Sequence, residues 1–310
     1  MTLREALTLA AAQLAGDEHL RPTATRDAEL LLLHTLQIPR TTLIAHPARE
    51  LSASQRTAYE DSIARRLRHE PVQYITGQQE FYGLTLKVTP AVLIPRPETE
   101  HLVEAVLKLL PPNTPLKIAD IGTGSGAIAI ALAAHLPQAA ITAVDISPEA
   151  LAIATTNARE HNLTNRIRFL QSDLLSALDH EAETFDAIVS NPPYVADTDR
   201  ATLHPQVRDH EPATALFGGK TGLDVYRRLI PQAHNALKPN GLLALEIGHD
   251  QQNAIASLLQ AWHNLFFIND LQQIPRVALA QKPATPTNRQ NPFPGKTASE
   301  THSTAVRIKS

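Results

Sequence analysis

Asn191-Pro192-Pro193-Tyr194 is the segment of this chain best equipped to hold a reacting group. It follows Phe185-Asp186-Ala187-Ile188-Val189-Ser190, an apolar run that reads as a buried strand, so it stands at a strand's carboxyl end. The Asn191 carboxamide offers one oxygen acceptor. The Pro192 carbonyl offers a second, because two prolines hold that backbone rigid and outside a sheet ladder. Two fixed acceptors fit the two hydrogens of an –NH2 group, and Tyr194 adds a ring against which a planar amide or base can lie. Upstream, Asp120-Ile121 runs into a glycine loop, Gly122-Thr123-Gly124-Ser125-Gly126. Such a loop turns tightly and lets backbone approach a ligand, with a helix N-terminus directly behind it. Asp145 ends the next strand, where a carboxylate can accept both hydroxyls of an adenosine ribose. Asp173 closes a third strand and is placed to contact the adenine edge.

A glycine loop followed by Asn-Pro-Pro-Tyr, in that order, resembles the methyltransferases that alkylate planar, weakly nucleophilic nitrogens. The exocyclic amine of adenine and the side-chain amide of glutamine are such nitrogens. Nicotinamide enzymes use a similar glycine loop, but hydride transfer has no use for Asn-Pro-Pro-Tyr. The cofactor expected is therefore S-adenosyl-L-methionine. An amide nitrogen is a poor nucleophile because its lone pair is delocalised into the carbonyl, so attack on a methyl sulfonium needs alignment and help with developing positive charge. Asn191 and Pro192 can supply both. No ionisable general base is apparent, and none is required, since an alkylated nitrogen can lose its proton to water.

The elements that must position these residues follow from periodicity. Helices are expected near 2–15, 24–37 and 52–69, the last opened by a Ser52-to-Gln55 capping box. Residues 80–88 read as a hairpin about Gly83, and a helix from about 97 to 110 ends at Pro111-Pro112. Strands near 117–121, 140–145, 167–171, 185–190 and 242–247 alternate with helices near 125–136, 148–161, 222–237 and 251–262. That alternation marks a parallel sheet covered on both faces. Ser147-Pro148 gives one helix an N-cap and an N1 proline. Residues 265–269 and 276–280 read as two strands without a helix between them, an antiparallel hairpin closing the sheet. The expected organisation is a helical domain over 1–72, a hairpin linker over 73–96, a methyltransferase domain over 97–282 and a disordered tail over 283–310.

Composition narrows the function classes. The 310 residues carry 28 basic and 31 acidic side chains, a formal charge of −3, which gives no general attraction to nucleic acid. The cluster Arg65-Arg66-Leu67-Arg68 reads as a solvated helix face rather than a phosphate contact. The chain has no cysteine, which excludes disulfides, thiolate zinc sites and cysteine nucleophiles, and is compatible with a reducing cytoplasm. Its histidines lack ligand spacing, and His204 and His210 fall in an expected loop, so no metal site is expected. No apolar run approaches the length of a membrane span. A monomer, cytoplasmic and without nucleic-acid or membrane partners, is the expected state.

The chain further resembles the HemK/PrmC family of release-factor glutamine N5-methyltransferases over roughly residues 3–281. The resemblance rests on Asp27-Ala28-Glu29-Leu30-Leu31-Leu32 and Gly77-Gln78-Gln79-Glu80-Phe81-Tyr82-Gly83. It continues through Val92-Leu93-Ile94-Pro95-Arg96-Pro97-Glu98-Thr99-Glu100, the glycine loop, Ser190 to Tyr194, and Glu211-Pro212-Ala213-Thr214-Ala215-Leu216. It implies an α/β fold: a seven-stranded Rossmann-like class I methyltransferase sheet with an antiparallel C-terminal hairpin, preceded by a small all-α domain that recognises the substrate protein. The implied substrate is the glutamine of the Gly-Gly-Gln loop in class-I peptide chain release factors. Carried over by position, Gly122 to Gly126, Asp145, Asp173, Leu174 and Asn191 contact the cofactor, while Asn191, Pro192, Pro193 and Tyr194 hold the glutamine. Leu174 stands where relatives often have an aromatic, so an apolar wall against adenine remains but stacking is lost. Competing readings are a ribosomal-protein glutamine methyltransferase, an adenine-N6 nucleic-acid methyltransferase, which would want a base-flipping surface and a positive groove, and a non-catalytic binding module.

Overall fold

The computed structural model describes residues 1–178 and 184–284. From residue 285 on, the expected tail lies outside the described residues. Five helices open the chain: α1 (Leu3–Ala15), α2 (Ala24–Leu36), α3 (Arg40–Ala45), α4 (Ala53–Leu67) and α5 (Val72–Thr76). The short α3 and α5 follow Pro39 and Pro71, and are too brief for an apolar period to announce. Thr2 with Glu5 and Ser52 with Gln55 form capping boxes on α1 and α4, satisfying helix N-terminal donors reciprocally. The apolar stripes of α1, α2 and α4 meet in one core containing Leu3, Leu14, Leu31, Leu32, Tyr59 and Ile63. The Tyr59 hydroxyl donates to the Ala28 carbonyl at 2.9 Å, so burial of the phenol leaves no orphaned donor.

Of the solvated face expected at Arg65-Arg66-Leu67-Arg68, Leu67 and Arg68 are exposed, but Arg66 is not. Arg66 follows Tyr59 and Ile63 on the inward stripe of α4 and is 3% exposed. Its guanidinium donates to Asp27 at 2.8 Å, to the Glu70 carbonyl at 3.1 Å and to Gln206 at 3.2 Å. Five donors in a planar fork let one side chain serve three partners. Arg65 turns to Glu70.

The hairpin comprises β1 (Gln78–Phe81) and β2 (Leu84–Lys87), with Tyr82 and Gly83 both at positive φ, as a two-residue hairpin turn demands. Phe81 and Leu86 are buried in the core beneath the large sheet, and Glu100 accepts the Tyr82 N–H at 2.9 Å. Beyond them run α6 (Pro97–Leu109), β3 (Lys117–Ile121), α7 (Ala127–His135), β4 (Ala140–Asp145), α8 (Pro148–Glu160), β5 (Ile167–Gln171) and β6 (Phe185–Ser190). Then come α9 (Pro205–His210), α10 (Ala213–Leu216), α11 (Asp224–Ala236), β7 (Leu237–Glu246), α12 (Gln252–Leu258), β8 (His263–Asn269) and β9 (Pro275–Gln281). His204 and His210, expected in a loop, bracket α9. Pro205 presets its first turn, and the His204 ring accepts the Gln206 N–H as a cap.

The sheet has seven strands in the order β5-β4-β3-β6-β7-β9-β8, with β9 antiparallel to both neighbours. The chain winds outward from β3 to β5, then returns to the other side of β3 as β6. That reversal makes the carboxyl ends of β3 and β6 a topological switch point, the usual place for a ligand crevice. Alternate strand residues serve opposite cores. Ile118, Ala187, Val189, Leu242 and Ala244 pack on one face with α6 and α7. Ala119, Ile188, Leu243 and Leu245 pack on the other with Tyr226 and Leu229 of α11. No described helix is long and apolar enough to cross a membrane.

The Arg66–Asp27 pair generates a stability expectation. Arg66→Ala leaves Asp27 buried with only the Thr23 hydroxyl as partner, and should destabilise the chain by about 3 kcal/mol. Arg66→Met combined with Asp27→Leu should cost much less, because no uncompensated charge stays behind. Urea denaturation followed by circular dichroism distinguishes the two; equal losses would contradict a charge-based role.

Candidate active site

Parallel register decides what faces the crevice. Ile121 pairs with Ser190, and Ser190 pairs with Leu245. One residue beyond those pairs, Asn191 and Glu246 stand side by side. Both share the parity of Val189 and Ala244, the α6 face, as Asp120 shares that of Ile118. Three polar side chains therefore lie on one face at the carboxyl ends of three adjacent strands, Asp120 opposite Val189 and so two residues short of Asn191.

The β3 end is built around Asp120, which is fully buried. Its Oδ2 accepts the Thr123 hydroxyl at 2.6 Å and the Ala129 N–H at 3.1 Å, tying the glycine loop to the first turn of α7. Its Oδ1 has no hydrogen-bond partner. Burial pushes this carboxyl up to about 7, the neighbouring Asp145 adding to the effect. Gly122 and Gly124 hold positive φ, and open space lies where a Cβ would stand on either, so the loop presents bare backbone to the crevice. Asp145 is fixed by two backbone donors, Gly124 at 2.8 Å to Oδ2 and Ser147 at 3.0 Å to Oδ1. Each oxygen keeps a lone pair for a hydroxyl.

At the β6 end, the Asn191 Nδ2 donates to the Thr99 hydroxyl of α6 at 3.1 Å, which turns its Oδ1 the other way. Among the described residues no donor pairs with the Pro192 carbonyl. The Asn-Pro-Pro-Tyr backbone is braced from behind. Gln251 donates to the Tyr194 carbonyl at 2.9 Å, Val195 donates to Leu216, and Gly222 lies so near that a Cβ there would sit 2.1 Å from the Tyr194 oxygen. The Tyr194 ring packs against the α11-side core, and its hydroxyl donates to Glu246 Oε1 at 3.3 Å. Burial, reinforced by the Glu246 charge, holds that hydroxyl well above its ordinary pKa.

A cleft of about 340 Å³ joins the two strand ends. Of the residues expected from sequence, it brings together Gly122, Gly124, Asp145, Asp173, Leu174, Asn191 and Pro193. Thr123, Ser125 and Gly126 support it from outside: Thr123 on Asp120, Ser125 through its carbonyl to Asn157 at 2.8 Å, and Gly126 against Ala154 of α8. Pro192 is buried behind the cleft, and Tyr194 faces Glu246. Asp173 pairs with Arg228 at 2.6 Å, and both reach the cleft.

Sequence reading assigned no role to Phe217, Asp120, Thr99, Glu246 or the Arg96–Glu211 pair. Phe217 lines the cleft beneath the Arg200 guanidinium, 4.1 Å from its ring centre. Glu211, buried, accepts from Arg96 and from the Ile94 N–H at 3.3 Å. The Tyr74 hydroxyl donates to the Val92 carbonyl at 2.6 Å, so the wall formed by Val92 and Leu93 is pinned at both ends. A signal for Asp120 and Glu246 exists in the sequence: each is an acid at or next to the end of a strand, directly after an apolar run. For Thr99 there is none beyond its place in the Ile94-to-Glu100 run.

The two buried carboxyls predict an unusual pH dependence. Asp120 rises from 3.8 to about 7 and Glu246 from 4.5 to about 7, burial being the largest cause for each. Between those values the folded chain keeps protons that the unfolded chain has released, so stability should fall as pH rises from about 4 to about 7. Asp120→Asn removes one of the two groups and should flatten that slope. Urea midpoints measured across this range test it; a midpoint that rises with pH in both proteins contradicts the buried-acid account.

Comparison with known proteins places the arrangement. Residues 5–77 match the PrmC N-terminal domain model and residues 99–207 the methyltransferase small domain model. A release factor glutamine methyltransferase from Koribacter versatilis is 46% identical over 285 residues, covering 92% of this chain and 100% of the relative. One from Moorella thermoacetica is 48% identical over 261 residues, covering 84% and 90%. Among solved structures, the hMettl16 catalytic domain in complex with an MAT2A 3'UTR hairpin shares the fold. It has a TM-score of 0.55 and 20% identity, covering 74% of this chain and 84% of that one. With a glycine loop, a strand-end aspartate and Asn-Pro-Pro-Tyr around one cleft, and relatives of this identity along nearly its whole length, this chain belongs to the release factor glutamine methyltransferase family.

Proposed function

We propose that this chain transfers a methyl group from S-adenosyl-L-methionine to the side-chain amide nitrogen of the glutamine in the Gly-Gly-Gln loop of class-I peptide chain release factors. The observation that carries the reading is Asn191. Its Nδ2 is committed to Thr99, leaving Oδ1 as an acceptor in the glycine-loop cleft, next in the chain to the Pro192 carbonyl, which has no donor among the described residues. A cytoplasmic site of action follows from the proposed substrate.

The residues present fit the cofactor. Bare backbone at Gly122 and Gly124 gives it room, and Asp145 offers oxygens to the ribose hydroxyls. Leu174, Phe217 and Ile146 supply apolar surface for the adenine, with Asp173 at its rim. Bound S-adenosyl-L-methionine would supply an electrophilic methyl group.

The acceptor residues supply alignment. Asn191 Oδ1 and the Pro192 carbonyl take the two N–H bonds of the glutamine amide, which points its nitrogen along the line of transfer. The same two acceptors favour the positive charge that grows on nitrogen as the amide resonance is lost, an interaction stronger in the transition state than in the ground state. A glutamate at that position brings a carboxylate against two acceptors, leaving them unpaired and repelled. Helices α1 to α5 serve to recognise the folded release factor, a role supported by the family match over residues 5–77.

Incubation with labelled methyl donor and, separately, release factor, ribosomal protein and DNA tests the substrate. Label should appear only on release factor, at the loop glutamine, and not on a factor carrying glutamate there. Mass spectrometry locating it on any other residue defeats the assignment. Asn191→Ala should lower kcat by about a hundredfold or more while cofactor Kd stays nearly constant. Asp145→Ala should do the reverse, raising cofactor Kd by about tenfold through the loss of its ribose hydrogen bonds; calorimetry showing unchanged binding removes Asp145 from the ribose site.

A further inference from the structure

An Asn carboxamide is nearly symmetric in shape, so something must decide which end meets the substrate. With Oδ1 outward, Asn191 offers an acceptor to the substrate –NH2; with Nδ2 outward, it offers a donor and the two groups clash. Among the described residues the inward end of Asn191 meets only Thr99, whose hydroxyl can accept or donate. The direction of the amide is therefore set by where the single Thr99 proton goes.

Glu246 supplies the destination. It closes β7 in the strand position beside Asn191, is 2% exposed, and carries one oxygen, Oε2, with no hydrogen-bond partner. Its backbone carbonyl is held from the opposite face by the Tyr226 hydroxyl at 2.7 Å, and its Oε1 takes the Tyr194 hydroxyl. Thr99, itself buried, faces this carboxyl from α6 and favours its charged form. The other charged groups around it are Glu98 on α6 and Arg276 on β9. A buried carboxyl with an unpaired oxygen draws the nearest free hydroxyl proton, because leaving that oxygen unsatisfied costs more than the hydrogen bond itself contributes.

We infer that Thr99 and Glu246 are positioning residues that fix the direction of the Asn191 amide. Glu246 as the carboxylate takes the Thr99 proton, Thr99 is left as an acceptor, and Asn191 must turn Nδ2 inward and Oδ1 to the substrate. Tyr194, bonded to the same carboxyl, ties both ends of the Asn-Pro-Pro-Tyr loop to one buried acid. The relay explains a buried acid that touches no cleft, and it makes amide-versus-acid selectivity depend on a residue outside the pocket. The inference rests on the proposed role of the Asn191 oxygen.

The test compares wild type, Thr99→Val, Thr99→Ser and Glu246→Gln in the full chain. Each is measured with release factor and with release factor whose loop glutamine is glutamate. Thr99→Val keeps the shape and removes the hydroxyl. Glu246→Gln brings an –NH2 that donates to Thr99 and so reverses the relay. Both should lose kcat by about tenfold to a hundredfold through misorientation of the acceptor. Cofactor Kd should be unchanged in both, and Thr99→Ser should recover most of the rate. In both impaired variants the glutamate-bearing factor should become a competitive inhibitor, since an outward Nδ2 donates to a carboxylate; wild type should ignore it. A purely structural defect would not create that inhibition. Thr99→Val within twofold of the wild-type rate, Thr99→Ser falling as far as Thr99→Val, or unchanged indifference to the glutamate factor in both impaired variants would each overturn the relay. Failure of wild type to methylate the glutamine overturns the relay together with the reading beneath it, and so is distinguishable from failure of the relay alone.

Discussion

The parallel register of β3, β6 and β7 is the constraint on which the site depends. Hydrogen-bonded ladders fix which residue is the last of each strand and which face it takes, and a slip of one position would turn it to the opposite core. Here the pairings of Ile121 with Ser190 and of Ser190 with Leu245 leave Asp120, Asn191 and Glu246 on one face of adjacent strands. The crevice at the topological switch point thus receives a rigid floor, and the loops that leave it inherit that precision.

Polar groups at such a floor are costly unless each is given a partner. Most are. Asp120 serves Thr123 and Ala129, Asn157 of α8 serves both the hairpin at Lys87 and the glycine loop at Ser125, and Ser190 donates to the Ile121 carbonyl at 2.7 Å. Among the described residues two oxygens remain outside this accounting, Asp120 Oδ1 and Glu246 Oε2. They stand behind the cofactor half and the acceptor half of the cleft respectively. Unpaired buried acids cost stability that a purely structural core would shed, so their place next to the cleft links that cost to binding and orientation.

The outer parts are joined to this floor by a few charged contacts. Arg96 and Glu211 connect the segment entering α6 with the segment entering α10, although they lie far apart in the chain. Arg66 reaches from the helical core to Gln206 just inside α9. The helical region and the catalytic region are therefore not independent beads. Substrate contacts made on one side have a packed, hydrogen-bonded route to the loops around the other.

Local chemistry determined much of this by itself. The alternation of apolar runs with amphipathic stretches specified a parallel sheet with a terminal hairpin. The capping residues Ser52 and Ser147 fixed helix starts, and the glycine loop, Asp145 and Asn191-Pro192-Pro193-Tyr194 were legible because each needs particular residue types at a strand end. Tertiary structure decided the rest, wherever the meaning of a residue depends on a partner distant in sequence. Arg66 reads as one of three surface arginines until α2 brings Asp27 against it. Thr99 and Glu246 are ordinary residues of a helix and a strand until register and packing bring each to Asn191. Tyr194 reads only as a ring beside a substrate, and the fold adds a bond from its hydroxyl to Glu246. A sequence displays period and composition, which are local; a side chain's hydrogen-bond partner is set by long-range burial, and only the folded chain supplies it.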